Sequence, residues 1–201
     1  MKLYHSQFTR SGRVRWMLEE IGAPHEVVRV AVMKGETRTP EFRAINPYGG
    51  VPALVDGDLK LTESSAIVLH LADKFPEMKL APPTGTDARA EYYRWMVLVP
   101  ATLDPMLEAI TMHTRILPEA NRVPAIAEEA QKRVGGLLRS IEETVGDRKF
   151  IIGDTFTAAD VMLGSAMAWL GFLGMLEAYP KLAAYGKALM ARPAFQRAHA
   201  D

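Results

Sequence analysis

Cysteine is missing altogether from the 201 residues. That excludes disulfides, cysteine metal sites and a thiolate nucleophile supplied by the chain itself, and with them glutaredoxin-like thiol–disulfide exchange. An excess of one charge is missing too. The 24 Lys and Arg balance 24 Asp and Glu, so nothing electrostatic points to nucleic acid or an anionic membrane surface. Long apolar runs are also absent. The longest uncharged one, Val161 to Leu176, has 16 residues including three Gly, short of the ~20 that span a bilayer. The opening MKLYHSQFTRSG lacks the basic start and apolar run of a signal peptide, so a soluble, cytoplasmic protein is expected. His5, His25, His70, His113 and His199 show no metal-type spacing. They read as surface or packing residues, and no metal is expected. The acid pairs Glu19-Glu20, Glu128-Glu129 and Glu142-Glu143 read as solvated helix faces, and Arg13 and Arg15 as surface or interdomain charges.

What is present falls into two styles of patterning. Met1–Tyr4 reads as a short strand. Val14, Met17, Leu18 and Ile21 recur at i, i+3, i+4 and i+7, the mark of one helix face, and Gly22 and Pro24 stop that helix. HEVVRVAV (25–32) reads as a second strand, with a short helix at 41–45. PALVDGDLKL (52–61) is a hairpin turning at Asp56-Gly57, and 64–75 is a helix. PEMKLAPPTGT (76–86) is rich in Pro and Gly and reads as a linker. Everything after Asp87 has helical periodicity, with bends expected at Pro100 and Pro105. At 157–160, TAAD offers a Thr157 hydroxyl and an Asp160 carboxylate in capping-box register. The expected architecture is α/β plus all-α. A small mixed-sheet domain (1–76) is followed by a linker (77–86) and an all-helical bundle (87–201).

Pro52 is the informative oddity, because it has no N–H for a ladder yet opens a strand. A strand–helix–strand unit, then a strand–strand–helix unit with proline starting the third strand, is the thioredoxin-like layout. It predicts a cis Val51-Pro52 bond, with the Val51 N–H and C=O left outside the ladder to pair with an extended peptide. In TESSAI, Glu63 and Ser64 stand where the fourth strand meets a helix. First-turn N–H groups, the helix dipole and the Ser64 hydroxyl suit a carboxylate, and Glu63 suits an ammonium group. A site taking α-carboxylate, α-amine and extended backbone together suits a γ-glutamyl peptide.

NPYGGVPALVDGD, TESSAI, IGDTFTAADVML and ARPAF, in this order and spacing, resemble the cytosolic glutathione transferases over essentially the whole chain. The resemblance implies a glutathione site made by Lys34, Val51, Pro52, Glu63 and Ser64. It also implies a homodimer with its active site in a cleft between the two domains. The expected reaction is conjugation of glutathione, the co-substrate, to small, hydrophobic electrophiles, or reduction of peroxides, in detoxification. Thiolate stabilisation falls to the loop SQFTRSG, where Ser11, then Thr9, are the expected donors and Arg10 supplies positive charge. Alignment on LEEIG puts Arg10 where beta-class enzymes carry cysteine. Alignment on the helix arginine puts Thr9 near the theta-class serine, which points to a bacterial serine- or threonine-type enzyme. Asp104, Glu108 or Met112 is expected in the second-substrate wall, while Thr157 and Asp160 are assigned a structural cap. The competing reading is a non-catalytic binding or partner-interaction module on the same fold.

Overall fold

Alternation in KLYH buries Leu3 and His5 and leaves Lys2 and Tyr4 half-exposed, so this tetrapeptide forms a strand, β1 (Lys2–His5). In the computed structural model, which describes residues 1–200, β1 lies inside a four-stranded sheet ordered β2-β1-β3-β4. β2 is Glu26–Arg29, parallel to β1; β3 (Ala53–Asp56) and β4 (Leu59–Thr62) are antiparallel to their neighbours. β2 covers only four of the eight residues (25–32) that read as strand. Beyond it the Glu36 carboxylate accepts the Ala31 N–H at 2.6 Å and folds the chain into 3₁₀ turns at Val32–Lys34 and Glu36–Arg38. Helix α1 (Ser11–Ile21) ends on Gly22, whose φ of 70° is the left-handed conformation glycine adopts freely. The short helix α2 occupies Pro40–Arg43 and α3 spans Ser64–Lys74.

The chain divides into two compact units: Met1–Ala81 joined by the segment from Ala191 onward, and Pro82–Met190. In the first, helix α9 (Pro193–Ala198) packs on α1. Phe195 meets Trp16 edge-on at 4.9 Å, and Arg192 donates to both Glu20 oxygens at 2.6 and 2.8 Å. Glu20 also accepts from Trp16 Nε1, while Glu19 accepts from Arg197. Glu19 and Glu20 therefore pin the returning C-terminal helix, where their spacing read as an ordinary solvated face. A bidentate Arg–carboxylate pair is the strong form of such a contact.

The second unit is helical. α4 (Asp87–Leu98) and α5 (Asp104–Thr111) are joined by a wide π turn at Val99–Leu103, where Pro100 has no N–H to give an α turn. α6 (Pro124–Val145) opens on proline and buries Val134, Leu138, Ile141 and Val145 along one stripe. α7 (Ala158–Phe172) is buried on most sides, and α8 (Pro180–Met190) packs against it. None of the described helices is long and apolar enough to cross a membrane.

Asp160 is completely buried at the start of α7, inside a reciprocal capping box with Thr157. Its carboxylate accepts from the N–H groups of Ile151 and Thr157, both at 2.8 Å, from the Thr157 hydroxyl and from the Tyr185 hydroxyl. Burial outweighs these bonds and holds the carboxyl above its ordinary value. Asp160→Ala leaves two buried N–H groups and a phenol without an acceptor. The expected loss is about 3–5 kcal/mol in a urea titration, well beyond the ~1 kcal/mol of a simple cap. Tyr185→Phe, which removes one donor, should cost about 1 kcal/mol.

Candidate functional site

Sheet register alone gathers the expected site residues at one end of the first unit. Tyr4 pairs with Ala53, and Ala53 pairs with Thr62. The loop leaving β1 (Ser6–Arg10), the Val51-Pro52 turn entering β3 and the Glu63–Ser64 junction leaving β4 therefore open on the same edge. The end of β2 joins them, since His5 pairs with Arg29, and Lys34 lies exposed just beyond it.

The Val51-Pro52 bond is cis, and β3 begins only at Ala53, so Val51 stands outside the ladder. Buried Asn46 holds the turn that delivers it. Its Nδ2 donates to Gly50 O at 2.7 Å, and its Oδ1 accepts from Tyr48 N at 2.9 Å. Gly49 has φ 70°, and a Cβ there would meet Thr37 O at 3.1 Å. Asn46 was not singled out from the sequence; the NPYGG run around it is the signal that an Asx turn was available. Glu63 occupies the N-cap of α3 with φ 64°, a conformation rare for a non-glycine residue. Its side chain is exposed and makes no capping bond, whereas Ser64 is buried behind it. The first N–H groups of α3 have no partner within the helix, which leaves an anion-accepting turn beside an exposed carboxylate.

The loop SQFTRSG differs most from expectation. Ser11 was the foremost expected donor, yet it is completely buried. Its Oγ lies 2.8 Å from His5 Nδ1, 2.6 Å from Thr9 Oγ1 and 3.0 Å from Ser6 O, and it accepts from Ser6 N at 3.1 Å. A ligand cannot touch Ser11 without opening the loop. Thr9 lies half-exposed in front of it; its hydroxyl donates to Ser6 O at 2.7 Å and accepts the Ser11 N–H, taking over the capping role that Arg10 at the N-cap does not fill. Arg10 is half-exposed, and Phe8, with φ 56°, is fully exposed.

His5 is likewise no surface residue. It is buried beneath this loop and borders a cavity of about 350 Å³ with Ser6, Gln7, Arg29 and Glu36. Burial, then the charges of Arg15, His199 and Arg29, push its pKa from 6.5 down to about 4. His199 stacks on Phe195 at 4.0 Å, and its Nε2 lies 3.3 Å from where a Cβ on Gly12 would be.

In the second unit a cavity of about 620 Å³ is lined by Thr102, Pro105, Met106 and Ala109 against Ile126 and Arg133. Of the expected wall residues, Asp104 is completely buried and lines no open surface, because it falls on the face of α5 turned into the unit. Glu108 is exposed and Met112 half-exposed.

Two family models match this chain: the glutathione S-transferase N-terminal domain over residues 1–73 and the C-terminal domain over residues 102–193. The chain is a member of the glutathione S-transferase family. Among its relatives, glutathione S-transferase 3 of Zea mays is 32% identical over 92% of this chain and 86% of the relative. The probable glutathione S-transferase GSTF2 of Oryza sativa subsp. japonica is 33% identical over 98% and 94%. Among solved structures, a sphingomonad glutathione S-transferase complexed with glutathione superposes with a TM-score of 0.87 at 28% identity, covering 100% of this chain and 98% of that one. A family member from Pseudomonas fluorescens pf-5 with two glutathione bound gives 0.89 at 27% identity, over 98% and 91%. As in those transferase structures, a thioredoxin-like sheet unit and a helical unit make up the chain.

The depressed His5 pKa has a measurable sign. The unfolded chain takes up a proton near pH 6.5 and the folded one only near pH 4, so His5's contribution to stability is complete above 6.5 and lost as pH falls toward 4. Denaturation midpoints of the whole chain should drop across this window, and His5→Asn should flatten the drop. An unchanged slope in His5→Asn would assign the effect to other groups.

Proposed function

We propose that the sheet end binds glutathione and that the protein conjugates its thiolate to small, hydrophobic electrophiles. The observation carrying this reading is the convergence of an unladdered Val51, the anion-accepting start of α3 and a hydroxyl-bearing loop on one edge. The γ-glutamyl carboxylate sits on the first turn of α3 and the Ser64 hydroxyl, with Glu63 facing the ammonium group. The cysteinyl backbone pairs with Val51 beside Pro52, and Lys34 faces the glycine carboxylate. The glutathione-complexed relatives support this reading at the level of the ligand.

Thr9 is the hydroxyl placed to donate to the sulfur, Ser11 stands behind it, and Arg10 adds positive potential that favours the thiolate. The thiol proton leaves to water. Sulfur then attacks the electrophilic carbon, a C–S bond forms, and the leaving group departs with its electron pair or an activated double bond takes up a proton. Residues 1–76, with the returning segment from Ala191, form the glutathione-binding domain, 77–86 the linker and 87–190 the helical domain, whose Glu108 and Met112 are assigned to the second substrate. The reading extends to a cytoplasmic homodimer acting in detoxification. Family membership over most of the chain and the complete set of peptide-binding groups favour an enzyme over a binding module.

Glu63→Ala and Ser64→Ala should each weaken glutathione binding roughly ten- to a hundredfold in calorimetry, the worth of about 1.5–3 kcal/mol for a charge-assisted bond. Thermal melts of both should stay near the parent's. Unchanged affinity in both variants places the site elsewhere. A parent that turns over no electrophile or peroxide and is not stabilised by millimolar glutathione overturns the enzymatic reading.

A further inference from the structure

We propose that His5 is a positioning residue: its Nδ1–H donates to Ser11 Oγ, Ser11 donates to Thr9 Oγ1, and the Thr9 proton is thereby left for the bound sulfur. The proposal rests on the glutathione reading above and identifies what orients its thiolate donor.

Counting protons carries the argument. Ser11 Oγ has His5 Nδ1, Thr9 Oγ1 and Ser6 O within 3.0 Å, and Thr9 Oγ1 also contacts Ser6 O. These four contacts share two hydroxyl protons and whatever proton His5 Nδ1 carries. If Nδ1 is bare, Ser11 donates back to His5, away from Thr9. When the Thr9 proton then turns to a sulfur, Ser11 no longer polarises Thr9. If Nδ1 carries hydrogen, three donors run in one sense from His5 to Ser11 to Thr9. Each strengthens the next. The Thr9 oxygen also accepts the Ser11 N–H at 3.2 Å, so its own hydrogen is free to turn from Ser6 O to the ligand.

The groups around His5 keep it neutral. Arg15 on α1, Arg29 on β2 and His199 just past α9 all disfavour imidazolium, and Glu36 brings a negative charge to the cavity His5 borders. A neutral ring keeps one N–H, and Nδ1 is the nitrogen that meets Ser11. Its register fixes its place: His5 ends β1, one residue before the loop, directly below the first residue of α1.

The test compares His5→Leu with His5→Asn in the full chain. Leucine fills the space with no polar atom, and the asparagine amide can reproduce the Nδ1–H. Thiolate absorbance of the glutathione complex is titrated for each, alongside kcat, KM and a thermal melt. His5→Leu should raise the bound thiol's pKa by about half a unit and lower kcat near neutral pH two- to fivefold. Its KM for glutathione should stay within twofold, and His5→Asn should recover most of the loss. Nitrogen NMR of the parent complex, with His5 assigned by the signal lost in His5→Asn, should show the Nδ1–H tautomer. A folded His5→Leu that titrates as the parent does, an asparagine variant no better than leucine, or an Nε2–H tautomer each overturns the relay. A parent that forms no thiolate with glutathione overturns the proposed function and the relay with it, so the two failures are distinguishable.

Discussion

The buried Ser11 hydroxyl is the junction on which the site depends. It touches the last residue of β1 through His5, the loop through Ser6 and Thr9, and it belongs to the first turn of α1. One small side chain therefore ties strand, loop and helix together where the candidate chemistry sits. A buried network of this kind is strong only when every member is satisfied. Ser11, enclosed among four polar neighbours, works as a strut, and Thr9 is the half-exposed hydroxyl of the pair.

The surroundings of the junction are fixed by sequence-distant pieces. His199 lies against Gly12 because α9 returns to α1, held by Arg192 on Glu20 and by Phe195 on Trp16. Glycine at 12 suits that approach, since a Cβ would sit tightly against the imidazole at 3.3 Å. On the other side, Asn46 holds the turn that leads to Val51-Pro52. The two walls of the site are thus set by one ion pair at the chain's end and one amide in a loop.

Much of this was legible in the sequence. The alternation of periods gave the order of elements through residue 75, and Pro52 before an apolar run announced the cis bond. The Glu63-Ser64 junction was legible as the place where the fourth strand meets a helix. Side-chain networks were not legible. Nothing local distinguishes His5 from a surface histidine, because the charges that act on it, Arg15, Arg29 and His199, are scattered along the chain. Glu19 and Glu20 looked solvated, since their arginine partners stand more than 170 positions away. Ser11 and Thr9 could not be ranked from spacing, because which hydroxyl turns inward depends on where β1 delivers His5. Asp104 looked like a wall residue by position, and only the packing of α5 shows it enclosed.

A crystal structure of the protein with glutathione tests the central claim most directly. The account predicts the cysteinyl backbone paired with Val51 and the sulfur within hydrogen-bonding distance of Thr9 Oγ1, with Ser11 still enclosed against His5. A sulfur lying against Arg10 or a backbone N–H, with Thr9 still donating to Ser6 O, would contradict it.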